Sequence, residues 1–163
     1  MAVDPERVMV LATGQMLGVR IPSNRTFANG KPKAMDGLNE IIKHDRTHRI
    51  MGARIERENV EWCAWHIRQA MQQQHWQPMF TKEDAVPVGL YITFVEANAR
   101  RDVPNIIGGG LKYVLDALSR PRGTKIGTGA IYDDSPKWLV EIRPKIEIDP
   151  ERPGIGLTLV RYE

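Results

Sequence analysis

Hydrophobic and polar positions change their period several times along the chain, and each change marks an element. "RVMVLATG" (residues 7–14) and "LGVRIP" (17–22) are short β-like runs, separated and ended by glycine and proline. "NRTFANGKPKAMD" (24–36) is rich in turn formers and basic groups and reads as a surface loop. From about Thr47 to His75 the period lengthens to about 3.6 residues: Val60, Cys63, Ala64, Ile67 and Met71 share one stripe, while Glu56, Arg57, Glu61, Arg68 and Gln72 take other positions. Such a stripe predicts a long helix laid on a sheet, with Trp62 and Trp65 flanking it as core anchors in preference to a base-stacking platform.

"AVPVGLYITFVEA" (85–97) is the strongest strand, β-branched and aromatic with proline confined to its start. A helix ending in "LKYVLDAL" follows, with Leu111, Val114, Leu115 and Leu118 on one face, and "RPRGTKIGTG" (120–129) must then be loop. Two further strands, "LVEIRPKIEI" and "GIGLTLVRY", are joined by the turn sequence "DPERPG". The sum is one α+β domain over residues 1–163, a small mixed β-sheet packed by two main helices, with no internal repeat.

Composition changes this picture little. With 42% hydrophobic and 26% charged residues the chain is an ordinary globular one. Its apolar runs are too short to span a bilayer, and "MAVDPERVMVLATG" carries an acid where a signal peptide carries positive charge, so a cytoplasmic protein without membrane contact is expected. Cys63 stands alone and no Cys/His cluster has zinc-ligand spacing.

Charge placement says more than the net charge of +3. Lys31, Lys33, Lys43, Arg46, Arg49, Arg54 and Arg57 crowd one stretch, Arg100 and Arg101 abut Asp102, and "SRPRGTK" forms a third basic cluster. Such interleaving suits a nucleic-acid backbone or a solvated face. Hydrolysis of a phosphodiester requires charge neutralisation at phosphorus and an activated water, which a divalent ion on two or three carboxylates supplies. Asp102 follows the strongest strand, Asp133 and Asp134 precede the next, and Asp116 and Lys112 lie on the helix between. "GGGLKY", "GTGAIY" and "DDSPKW" lack the spacing of a P-loop, a dinucleotide fingerprint and an EF-hand. The dispersed His44, His48, His66 and His75 make no triad.

"RRDVPNIIGGGLKYVLDAL…GAIYDDSPKW" resembles the RusA family of Holliday-junction resolvases, in particular its phage-borne members. There a basic "RDxDN" precedes a helix ending "DAL" and then "DD" or "ND". "GLNEIIKHDRTHRIMGARIERE" and "RPKIEIDPERPGIGLTL" look like the family's N-terminal and closing segments, so the likeness covers about residues 19–159.

The resemblance implies a small α+β homodimer that nicks four-way DNA junctions with Mg²⁺ or Mn²⁺. Carried over, the metal-binding acids fall on Asp102 and Asp134, with Asp133 beside the latter, the Asn on Asn105 and the helical lysine on Lys112. A shared ion requires the Asp102 and Asp134 carboxylates within about 5–6 Å. Lys43, Arg46, Arg54, Arg100, Arg101 and Asn105 are the candidate DNA contacts, Arg100 and Arg101 being either phosphate ligands near the scissile bond or a screened surface pair. Pro104 departs from the pattern, standing where the family has its second aspartate. Asp133 or Asp116 could substitute, the ion could keep an extra water, or the protein could bind junctions without cutting them. A small dimeric module docking an acidic protein partner is the alternative from another class. Gly108, Gly109 and Gly110 either let the helix start approach a phosphate or a partner subunit, or form loop ahead of a helix that begins near Leu111.

Overall fold

The computed structural model describes residues 15–47 and 49–162; the strand expected over residues 7–14 lies outside the described residues. Strand β1 (Met16–Pro22) is followed by a small hairpin of β2 (Arg25–Thr26) and β3 (Pro32–Lys33). Helices α1 (Leu38–Thr47) and α2 (Arg49–Gln74) come next, then β4 (Val88–Glu96), α3 (Val103–Leu118), β5 (Leu139–Ile148) and β6 (Gly154–Arg161).

The main sheet has the order β1-β6-β4-β5. β4 lies parallel to β5 and antiparallel to β6, which in turn lies antiparallel to β1. Parallel neighbours need a crossover, and α3 supplies it. The fold is α+β, as the period changes predict. The basic stretch ahead of residue 47 forms the separate helix α1, which packs on α2 and α3 beside the sheet.

Alternation along β4 sets the inner face. Val88, Leu90, Ile92 and Phe94 are all buried against the helices, as a period of about two requires. The α2 stripe meets them through Cys63, Ala64, Ile67 and Met71, all buried. Trp62 is half-buried and donates its indole N–H to the Pro22 carbonyl at 2.7 Å. Trp65 stands 57% exposed and anchors nothing, a correction to its expected role. On α3, Val114 and Leu118 are fully buried and Leu111 and Leu115 partly so. No helix among the described residues is long and apolar enough to cross a membrane.

The three glycines lie inside α3, which begins at Val103, so they are not loop ahead of a helix that starts near Leu111. They are packing devices. A Cβ on Gly109 would overlap the backbone of Gly37 and Leu38, and one on Gly110 would overlap the Phe94 ring. Each glycine weakens a helix by about 1 kcal/mol relative to alanine; close approach of α3 to α1 and to β4 offsets that loss. Gly109→Ala should therefore destabilise the protein by about 1–3 kcal/mol in spite of alanine's helix propensity. At Gly108 the nearest atom would be the movable Leu38 Cδ2 at 3.2 Å, so Gly108→Ala should lie within about 0.5 kcal/mol of wild type. Urea unfolding of both variants measures the difference.

Candidate functional site

Asp102 ends the loop after β4 and caps α3: its carboxylate accepts the Asn105 backbone N–H at 2.8 Å, and its carbonyl accepts that of Ile106. Such a cap is worth about 1 kcal/mol. Pro104 sits in the first turn, where an N–H has no intrahelical partner to lose. Both Asp102 and Pro104 are exposed.

Asp133 and Asp134 lie at the other end of the molecule. The Ile131 N–H donates to Leu118 at the far end of α3, and the parallel register pairs Val88 with Leu139 and Glu96 with Ile148. The loop before β5 is thus beside the start of β4, while Asp102 follows its end. With 16 residues, α3 separates them by about 24 Å at about 1.5 Å per residue. Within one chain Asp102 and Asp134 cannot share an ion, which corrects the expected approach of 5–6 Å. Asp116 does not repair this, since it lies on the fourth turn of the same helix. Among the described residues no three His, Cys, Asp or Glu side chains gather as a metal site.

What does gather beside Asp102 is an ion network. Glu96 continues the inward alternation of β4 and is only 3% exposed. Arg101 meets it with two hydrogen bonds, 2.7 and 2.8 Å, and reaches Glu40 of α1 at 2.9 Å. Arg25 of β2 lies 3.2 Å from Asp36 and 3.9 Å from Glu40. Asp36 also accepts from Asn59 of α2, and its carbonyl from the Tyr113 hydroxyl of α3. Asn105 is buried, and its side-chain oxygen accepts the Asn39 N–H in the first turn of α1. Asn105 therefore locks α3 to α1, and Arg101 is a structural cation; neither is placed as a DNA contact.

Burial alone would raise the Glu40 carboxyl, but hydrogen bonds from its own backbone and from Arg101, with the charges of Arg101 and Arg25, hold it below the ordinary range. Burial likewise works against the Arg101 charge and is outweighed by Glu96 and then Glu40. A cleft of about 200 Å³ opens on this network, lined by Arg25, Lys33, Glu40, Asn98 and Arg100. Arg100 is exposed and its backbone N–H is turned onto Asn98.

At the opposite end Asp133 accepts from Ser135 and from Arg120 at 3.3 Å. Burial raises its pKa, but Ser135 and Arg120 outweigh that and hold its carboxyl low. Asp134 beside it is exposed. Lys112 is 60% exposed and lies 3.2 Å from Glu56 of α2. Lys43 and Arg46 are exposed on α1, and Arg54, 77% exposed, pairs with Glu58 on α2.

Sequence reasoning took residues 24–36 for a surface loop and so missed Arg25 and Asp36. It also missed Glu40 and Glu96. The alternation of β4 carries the signal for Glu96, a carboxylate at an inward position that obliges a cation to follow. No family model, curated protein or solved structure matches this chain.

Glu40→Gln should lower stability at neutral pH by about 1–3 kcal/mol, since it leaves Arg101 and Arg25 short of one acceptor. A depressed carboxyl stabilises the fold above its unfolded pKa and loses that contribution as pH falls through the folded value. The gap between wild type and variant should therefore be largest near pH 7 and close below about pH 4.5, the ordinary glutamate value. Thermal melts across this range check it.

Proposed function

We propose that the protein is a metal-dependent endonuclease for four-way or branched DNA that acts as a homodimer, with each metal site drawn from two chains. The resemblance of about residues 19–159, and of the motifs over residues 100–138 above all, to the RusA family motivates the activity. The observation that carries the two-chain form is the separation of Asp102 from Asp134 along the length of α3. A twofold axis that sets two α3 helices antiparallel brings Asp102 of one chain towards Asp134 of the partner subunit, and generates two equivalent sites. Paired nicks in a symmetric junction call for two such sites.

Mg²⁺ or Mn²⁺ on these carboxylates would neutralise charge at phosphorus and activate water. Within the chain, the capping bond to Asn105 fixes the Asp102 carboxylate, and Asn105 is itself fixed by its bond to α1. Exposed Arg100 adjoins Asp102 as a phosphate contact; Lys43, Arg46 and Arg54 extend the basic surface along α1 and α2. Lys112, paired with Glu56 in water, is available to a phosphate at little cost. Asp133, already held by Ser135 and Arg120, supports the loop that presents Asp134.

Pro104 favours a second reading, a junction-binding protein that does not cut. Proline begins α3 well but supplies no ligand.

Mixing two inactive variants separates these readings. Asp102→Asn and Asp134→Asn should each abolish Mg²⁺-dependent nicking of a synthetic four-way junction. Co-refolded in equal amounts, they should recover about a quarter of wild-type nicking, because half the dimers are mixed and each mixed dimer keeps one intact site. Those nicks should be single, not paired. A mixture as inactive as its parents, from a wild type that does cut, would remove the two-chain site.

Pro104→Asp should raise cleavage where Pro104→Asn, matched in size and backbone freedom, does not. If wild type and Pro104→Asp both bind the junction yet neither cuts with Mg²⁺ or Mn²⁺, the non-cleaving reading stands.

A further inference from the structure

Among the described residues the helices cover one face of the sheet, and no element covers the other. Strand pairing lays its side chains out in rows: Gly18, Thr158, Tyr91 and Arg143 in one, Arg20, Gly156, Thr93 and Lys145 in the next. Together they line a concavity of about 660 Å³.

Two of the glycines on this face have reasons inside the fold. A Cβ on Gly89 would press on the Tyr162 hydroxyl at 2.6 Å, and Gly154 has φ of 152°. Gly18 and Gly156 have none: among the described residues a Cβ on either would meet nothing within 4 Å, and neither backbone requires glycine. Glycine inside a strand forfeits side-chain packing and, away from bulges and bends, marks places where a ligand or another backbone approaches closely. Bare backbone at the centre of the bowl is thus unexplained by packing.

The surroundings indicate what would approach. Tyr91 presents a half-buried ring with the Arg143 guanidinium 5.8 Å from its centroid. Arg20 is fixed by hydrogen bonds to the carbonyls of Ile21 and Arg152. Burial, and then the charge of nearby Arg152, lower its pKa, so two like charges adjoin there with Asp149 as a partial counterweight. Lys145 is 69% exposed and pairs with Glu147 at the rim, while Glu141 holds Arg143 and accepts the Tyr162 hydroxyl. A sheet-on-sheet dimer would want an apolar face. Here hydroxyls, cations and one ring surround an open floor, the combination that single-stranded nucleic acid uses for stacking and phosphate contact.

We propose that this open face binds a single-stranded segment of DNA, with bases over Tyr91 and the Gly18–Gly156 floor and phosphates against Arg20, Lys145 and Arg152. The choice of DNA over RNA rests on the proposed function; the choice of a single strand rests on the bowl, which a rigid duplex cannot enter. No metal and no cleavage are involved.

Fluorescence anisotropy of a labelled oligothymidylate of about 12 nucleotides, in EDTA and low salt, provides the test. Wild type should bind, and added salt should weaken binding steeply. Gly156→Val fills the floor with a side chain suited to a strand; it should weaken binding at least about tenfold while leaving the thermal midpoint unchanged or raised. Tyr91→Ala, which adds no volume, should weaken it at least about fivefold. Because the assay contains EDTA and scores no cleavage, a wild type that binds the oligonucleotide but nicks no junction with Mg²⁺ or Mn²⁺ keeps this proposal and loses the nuclease reading. Absence of binding by wild type, wild-type affinity in both Gly156→Val and Tyr91→Ala, or tighter binding of the matching oligouridylate would overturn the proposal. So would a shift from dimer to monomer in Gly156→Val, which would assign the face to a second copy of the chain.

Discussion

A carboxylate that alternation forces inwards at the end of β4 governs much of this structure. Glu96 is nearly sealed from water, and a buried charge without a partner costs several kcal/mol. Arg101 answers it from the loop that leads into α3, and having done so draws Glu40 of α1 towards the same guanidinium. Glu40 and Asp36 then hold Arg25, which ties the β2–β3 hairpin to the helices. Three carboxylates and two guanidiniums thus fasten two stretches that are distant in sequence, residues 25–40 and 96–101. Glu96 is met locally by Arg101, whereas Glu40 draws on Arg101 and Arg25 together and so needs both stretches in place. The start of α3, and with it the orientation of Asp102, follows from that arrangement.

Helix α3 plays two parts. Its glycine face lets it press against both α1 and the sheet, which fixes its height over β4. Its length keeps apart the acids at its two ends. The same rigidity that positions Asp102 therefore keeps it from sharing an ion with Asp134 of its own chain, and the proposed dimer would draw such acids together from two chains. Asn105 illustrates how a motif position can serve placement: its amide is spent on the first turn of α1, inside the protein.

Much of the architecture was legible in periodicity. The alternation of β4, the stripe of α2 and the strands over residues 139–148 and 154–161 all appear where the pattern puts them. Pairing order was not, because β5 and β6 are consecutive in sequence yet flank β4 on opposite sides. The start of α3 stayed open in the sequence because three glycines lower helix propensity locally, whereas the contacts that outweigh this loss come from Gly37, Leu38 and Phe94, far away in the chain. The separation of Asp102 from Asp134 was likewise invisible, since motif order along a chain carries no information about which end of a crossover each residue occupies. Arg101 looked like a surface cation because its acid partners lie five and about sixty positions away.

The position of β6 has a consequence for how the chain acquires its shape. β6 lies between β1 and β4, so two of the three ladders in the sheet need it, and the third needs β5 just before it. β1 thus waits for a partner more than a hundred residues downstream, from Gly154 onwards. As the chain leaves the ribosome the helices can form from local contacts, but β1 and β4 remain apart with their apolar faces unsheltered until the final strand emerges. Sheet assembly is therefore a late, concerted event, and the interval before it is when the nascent chain is most exposed to misassociation.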